Sequence, residues 1–236
     1  MVIVKICGVR RPQDAKIALE NGANLIGIIL VPDRKRTVDI QTAKAIAKVV
    51  HEFNRAPINI PEPEEETLWE QRARLLEIAS HSNPMLVGVV QNQSLDDVLS
   101  LQREIGLDIV QFHGDEPLSW CREVPARTFK RFTPNTENFC DALEPDAHFL
   151  PLIDGEVGGN GEPVDWASLQ QLAQEGGKFL LAGGLNSENV ESACRVSGVV
   201  GVDVSGGVES YPYKDEKKIR SFIKAAKSLH QKEYQE

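Results

Sequence analysis

The chain has 236 residues, 41% of them hydrophobic, which is close to the length of one β/α barrel and enough to bury a sizeable core. A net charge of -9 and a pI near 5.2 argue against nucleic acid as the main partner, because neutralising phosphates needs clustered lysine and arginine. The four cysteines, Cys7, Cys121, Cys140 and Cys194, show neither C-x-x-C spacing nor the density of a disulfide scaffold, so free thiols in a reducing compartment are the simpler reading and no zinc site is expected.

Met1 runs directly into VIVKICG without the pattern of a signal peptide, and no apolar run approaches the roughly 20 residues of a membrane span. A cytoplasmic protein with no membrane partner is expected. After the first apolar run, at 2–6, Pro12 suits a first helical turn, Ala15, Ala18 and Leu19 form an apolar stripe, and Gly22 suits a C-terminal cap. Further β-branched apolar runs follow at 25–30, 86–90, 109–112, 128–132, 149–153, 179–182 and 199–204, most of them trailed by an amphipathic segment of helical length. Such alternation predicts a parallel sheet, and eight runs predict a single α/β domain over residues 1–236, a closed (β/α)8 TIM barrel.

Residues 53–83 break the rhythm with an acidic, proline-containing loop and then a helical pattern containing Leu68, Leu75, Leu76 and Ile78. This segment reads as an insertion on the outside of the barrel, a solvated spacer plus a surface helix. Later, Asn186 and Ser187 can cap a helix whose inner face is Val190, Ala193 and Cys194, and Ile219, Phe222, Ile223 and Ala226 give the last helix its buried stripe.

In β/α barrels chemistry sits at the C-terminal ends of the strands, where the βα loops converge. That filter selects Cys7, Arg36, His113, Asp154 and Asp203. Cys7, beside Gly8 at a strand end, could ionise and act as base or nucleophile, or could be a buried inert thiol. Asp154 opens the glycine-rich stretch DGEVGGNGEPVDW, of a kind that can move over a substrate; it is either a general acid with a raised pKa or a turn residue. The loops LAGGLNSENV and VDVSGGVES each place glycines between a strand and a helix start. Either alone could be a tight turn, but as the loops after strands seven and eight they together favour a phosphate site. Arg36, in VPDRKRTVD, offers a planar fork for a carboxylate or is part of a solvated cluster with Arg34 and Lys35. His113 reads as a hydrogen-bonded strand-end residue in preference to a catalytic one.

Taken together, VKICGVRRPQDA, NGANLIGIILVPDRKRTVD, VGVVQNQ, DIVQFHGDE, PLIDGEVGGNGEPVDW, LAGGLNSENV and GVDVSGGVE make a chain that resembles the phosphoribosylanthranilate isomerase family of tryptophan biosynthesis, especially its stand-alone fungal form. The likeness spans about residues 4–227. It implies an aldose–ketose isomerase in which Cys7 is the general base and Asp154 the general acid of an Amadori rearrangement of N-(5-phosphoribosyl)anthranilate. It further implies that Arg36 binds the anthranilate carboxylate, that Gly183, Gly184, Ser205 and Gly206 hold the phosphate, and that Asp203 binds or orients the substrate. No metal or organic cofactor is implied, since both steps are proton transfers, and a monomer acting on a small phosphorylated molecule is expected. Two departures stand out: residues 53–83 exceed the compact bacterial pattern, and SGG at 205–207 replaces the more frequent SSG. Other phosphate-binding barrels fit less well, because a histidine-pathway isomerase would be expected to carry aspartate, and indole-glycerol-phosphate synthase lysine, where this chain has Cys7.

Overall fold

A computed structural model describes residues 1–61, 65–155 and 169–232, with side chains through residue 228. Eight strands form a closed parallel barrel: β1 (Ile3–Ile6), β2 (Leu25–Ile29), β3 (Met85–Val90), β4 (Ile109–Phe112), β5 (Arg127–Phe132), β6 (Leu150–Ile153), β7 (Phe179–Leu181) and β8 (Val199–Val204). Each lies within one residue, at either end, of a run expected from the sequence. Strands covered on both faces need apolar side chains on both, which is why the runs are nearly continuous.

Side chains alternate across each strand. On β1, Val4 and Ile6 face the helices, while Ile3 looks inward with Leu25, Val87, Ile109, Phe129, Leu152 and Leu180. The ring closes where β8 pairs with β1, with Lys5 opposite Asp203. An apolar interior thus occupies the N-terminal part of the barrel and charge enters toward the C-terminal end.

The outer layer contains α1 (Pro12–Glu20), α2 (Ile40–Glu52), α4 (Leu95–Ile105), the short α5 (Trp120–Glu123), α6 (Leu169–Gln174), α7 (Val190–Cys194) and α8 (Glu216–Lys232). Pro12 starts α1 as expected, its inner stripe of Ala15, Ala18 and Leu19 is buried, and Gly22 takes a left-handed φ of 96° just beyond its end. Ile219, Phe222, Ile223 and Ala226 of α8 are likewise buried. No helix among the described residues is long and apolar enough to cross a membrane.

Between α2 and β3 lies the inserted segment, whose second half is α3 (Leu68–Ser82), begun by a capping box in which Thr67 and Glu70 satisfy each other's backbone N–H groups. The expected surface helix is present, but its apolar stripe differs from the one expected. Trp69, Ala73, Leu76 and Ala79 are buried, whereas Leu68 is exposed and Leu75 and Ile78 are only half-buried. The reason is position: α3 packs at the N-terminal end of the barrel, where Trp69, Leu76 and Ala79 join Ile3, Met85 and Leu150 in the interior cluster. Arg72 donates to the carbonyl of His148 at 2.8 Å, tying the helix to the entry of β6. The insertion therefore closes the end of the barrel opposite the loops that carry the candidate chemistry.

Truncating Leu76, which has no exposed surface, to alanine should lower unfolding free energy by about 2–5 kcal/mol, measured by urea denaturation, with kcat of the folded protein within about twofold. A loss of less than about 1 kcal/mol would show that α3 adds little to the core.

Candidate functional site

Cys7 follows β1 at the C-terminal end and is anchored when its N–H donates to the Val204 carbonyl at 2.8 Å. Space for its sulfur exists because β2 has glycine beside it: a methyl group at Gly27 would stand 2.7 Å from the Cys7 sulfur. The next residue, Gly8, has φ 68° and no room for a side chain, since a Cβ there would come within 2.7 Å of Arg36 Cδ and 2.8 Å of Ser205 Oγ. Glycine at this point lets the basic loop and the β8 loop approach the thiol.

Below the thiol, on the same face of β1, Lys5 is fully buried and its Nζ donates to Asp203 Oδ2 at 2.8 Å. Among the described residues, Asp203 Oδ1 is buried without a hydrogen-bond partner. Burial disfavours the Lys5 ammonium, but the charges of Asp203 and Cys7 outweigh it and hold its pKa above the ordinary lysine value. For Cys7 burial wins: it pushes the thiol up, with Asp203 adding to the rise and Lys5 and Lys214 opposing it.

Asp154 directly follows β6 and is buried. Loss of solvent pushes its carboxyl up to about 6, with Arg131 pulling down and Asp203 pushing further up. Lys5 and Asp203 act on both Cys7 and Asp154, so the two candidates share one electrostatic environment. His113 completes the wall of that environment. Gln111 Nε2 donates to its Nδ1 at 3.1 Å, which leaves the ring proton on Nε2, 3.7 Å from Asp154 Oδ2. Burial lowers the imidazole to about 3, so this is a neutral ring beside a carboxyl and not an ion pair. The expectation of a hydrogen-bonded strand-end histidine fits, with the addition that it faces the acid.

Arg36 is presented by a tight return of the loop after β2, where Val38 N–H donates to the Ile29 carbonyl at 3.0 Å. Its guanidinium is held by two parallel hydrogen bonds, Nε to Glu209 Oε1 and Nη2 to Glu209 Oε2, each 2.7 Å. Lys214 also donates to Glu209 Oε1, at 2.9 Å, and to the carbonyl of Ser205 at 2.9 Å. Despite burial, the donors Arg36 and Lys214 bring the Glu209 carboxyl down to about 2. Glu209 and Lys214 lie on a small hairpin, β9 (Glu209–Ser210) and β10 (Tyr213–Lys214), whose Tyr213 ring stacks under Arg11 with 3.5 Å from guanidinium carbon to ring centre.

The two glycine loops lie side by side. Gly183 and Gly184 take φ values of 91° and 61°, and a Cβ on Gly207 would come within 2.0 Å of the Leu185 carbonyl oxygen. The β7 loop leads to α7, which is only five residues long, and the β8 loop opens a single 3-10 turn over Gly206–Val208 where a helix start was expected. Gly206 would carry a Cβ only 3.6 Å from Arg36 Nη2, so the arginine and the glycine loops border one space. The glycine-rich stretch expected to move over the substrate lies, from 156 to 168, outside the described residues. Two surface concavities, of about 520 and 470 Å3, open at the opposite end of the barrel and contain none of the candidates.

Lys5, Arg131, Glu209 and Lys214 were not among the sequence candidates. Period-two alternation from Ile3 to Cys7 places Lys5 on the reactive face and could have found it; Glu209 ends the GVDVSGGVE motif that carries the family resemblance and Lys214 opens the KD that follows it, but no local periodicity gives either a role before the hairpin is known.

A model of the family described as N-(5'phosphoribosyl)anthranilate (PRA) isomerase matches residues 40–225. The chain is 38% identical over 233 residues to the N-(5'-phosphoribosyl)anthranilate isomerase of Wickerhamomyces anomalus, covering 95% of this chain and 99% of that one. Among solved structures it is similar to phosphoribosyl anthranilate isomerase from Thermotoga maritima, with TM-score 0.76 and 31% identity over 97% of this chain and 100% of that one. It is similar also to a phosphoribosyl anthranilate isomerase in complex with reduced 1-(o-carboxyphenylamino)-1-deoxyribulose 5-phosphate, with TM-score 0.73 and 29% identity over 97% of this chain and 100% of that one.

A raised carboxyl pKa has a signed consequence for stability. The folded chain binds the Asp154 proton more tightly than the unfolded chain does, so this group's contribution to stability falls as pH rises from about 4 through about 6. Asp154→Asn should therefore be the more stable form at pH 8, by up to about 3 kcal/mol in urea denaturation, with the advantage gone below about pH 4. Equal differences at both pH values would show that the carboxyl is not perturbed.

Proposed function

Because the chain belongs to the N-(5'-phosphoribosyl)anthranilate isomerase family, and so is an isomerase acting on a phosphorylated aminoribose, we propose that Cys7 is its general base and Asp154 its general acid. What supports this assignment is that both are buried side chains directly after strands at the C-terminal end of one barrel, the end at which the Lys5–Asp203 pair joins at 2.8 Å, and that the charges of that pair act on both.

The reaction is an Amadori rearrangement to 1-(2-carboxyphenylamino)-1-deoxyribulose 5-phosphate. Protonated Asp154 gives its proton to the furanose ring oxygen, and the ring opens to an iminium. That cation acidifies the proton on ribose C2′, which the Cys7 thiolate removes. The resulting enolamine becomes the ketone by losing its enol proton and gaining one on C1′. The proton gained by Cys7 balances the one lost by Asp154, and the sequence of steps calls for no metal or organic cofactor. A carboxyl near 6 suits an acid working close to neutrality.

Arg36 supports the reading as the partner of the anthranilate carboxylate. Glu209 occupies one edge of its fork and leaves the other guanidinium donors available. Gly183, Gly184, Ser205 and Gly206 form the phosphate cradle, because their adjoining loops let backbone N–H groups approach an anion closely. Asp203, with Oδ1 unpartnered among the described residues, accepts a substrate hydroxyl. The reading extends to a cytoplasmic monomer.

The direct test follows the loss of fluorescence of freshly prepared phosphoribosylanthranilate with purified protein and added chelator. Wild type should turn over unimpaired by the chelator, while Cys7→Ala and Asp154→Asn each lose about a hundred- to ten-thousand-fold in kcat; near-normal turnover in either folded variant would end the assignment. In the same assay Arg36→Met should mainly raise KM, because a grip on a carboxylate that does not react contributes mostly to binding. An unchanged KM would remove Arg36 from the site.

A further inference from the structure

The base assignment leaves a physical problem that the structure also answers. A buried thiol is a poor base until it is ionised, and a nearby positive charge favours the thiolate. Among the described residues, Lys5 on β1, Lys214 on β10 and Arg36 in the loop after β2 are cations that act on Cys7 or are acted on by it. Asp203 on β8 opposes them. Arg36 and Lys214 are both paired with Glu209, on the loops around the mouth. Lys5 differs from both. It stands two residues before Cys7 on the same inward face, it is fully buried, and its carboxylate partner lies directly across the β1–β8 seam.

A lysine is seldom buried inside a barrel, where phenylalanine or leucine would fill the same volume without desolvating a charge. Around it, the interior residues nearer the N-terminal end are apolar. We propose that Lys5 is a positioning residue for the reaction: its ammonium, pinned by Asp203 two residues below Cys7 on the same face, stabilises the thiolate form in which Cys7 removes the C2′ proton, against the burial that favours the thiol. The inference rests on Cys7 being the base. No proton leaves Lys5 during the cycle; it remains an ammonium while Cys7 alternates between thiolate and thiol.

Opposite signs follow for the two members of the pair. Removing the lysine charge makes the thiolate harder to form, and removing the aspartate charge makes it easier. The experiment titrates the ultraviolet absorbance of the thiolate in the full-length protein, with Cys7→Ala as the baseline that subtracts the other three cysteines. Lys5→Met should raise the Cys7 midpoint by about one pH unit or more, a tenfold loss of thiolate at a given pH, and should move the alkaline arm of the kcat/KM profile by the same amount. Lys5→Met/Asp203→Asn, which leaves no buried charge unpaired, should also raise the midpoint. Asp203→Asn alone, which keeps the ammonium, should lower it. Midpoints that stay at the wild-type value, or move the same way in Lys5→Met and Asp203→Asn, would overturn the role of Lys5. Full turnover by Cys7→Ala would instead overturn the base assignment itself, and so the two failures are distinguishable.

Discussion

A charged pair inside the barrel governs everything around it. Lys5 and Asp203 face each other across the seam where β8 meets β1, at 2.8 Å and almost without solvent. Taking both charges out of water is costly, and their attraction offsets that cost only while both are present. Register keeps them opposed, because a slip of one residue between β1 and β8 would turn Lys5 outward and leave Asp203 uncompensated. Cys7 and Asp154, from opposite sides of the ring, both lie within reach of this pair. In the proposed roles Cys7 acts as the anion and Asp154 is protonated, the alternative placement of the one proton being thiol and carboxylate; burial favours the neutral form of each group, and so helps the acid and opposes the base. Both arrangements carry the same total charge. Passing one proton between them changes no net charge in the pocket, and the balance is set by where Lys5 and Asp203 stand.

The barrel separates rigidity from chemistry along its axis. Its N-terminal end is closed by α3 and packed with aliphatic and aromatic side chains. Its C-terminal end holds the ionisable groups on strand ends and short loops. A second buried ion pair stiffens that end. Lys130 binds Glu116 at 2.9 Å, and Glu116 accepts the backbone N–H groups of Asn92 and Gly114 at 2.8 and 3.0 Å. The loops after β3 and β4 are thereby locked together, and with them His113, which stands against Asp154. On the other side of the mouth, Glu209 and Lys214 fix Arg36 before any substrate arrives. A guanidinium already oriented loses less freedom on binding a carboxylate than a mobile one would.

Much of this was legible in the sequence, and the residues say why. Alternating apolar runs and amphipathic segments report burial directly, so all eight strands and the inner faces of α1 and α8 could be read from periodicity. Cys7, Arg36, Asp154 and Asp203 could be placed because strand ends mark the reactive face of such a barrel. The inner face of α3 was misread. Its apolar residues lie on several sides of the helix, and only the packing partner, here the end of the barrel, selects Trp69, Ala73, Leu76 and Ala79 over Leu68 and Ile78. Lys5 escaped notice because one charged residue in an apolar strand looks like an outward-facing interruption until its partner 198 positions away is known. Glu209 and Lys214 were hidden for the same reason: their roles exist only through contacts with Arg36 and Ser205, which no local pattern encodes.

If Cys7 and Asp154 feel the same buried pair, the Asp154 carboxyl reports on that field independently of the thiol. Selective 13C labelling of aspartate, with Asp154→Asn to identify the signal, gives the Asp154 titration by NMR in wild type and in Asp203→Asn. The expected wild-type midpoint is near 6, with a clear fall when the Asp203 charge is removed. A midpoint in the ordinary aspartate range, or one indifferent to Asp203, would mean that the two side chains do not share a pocket.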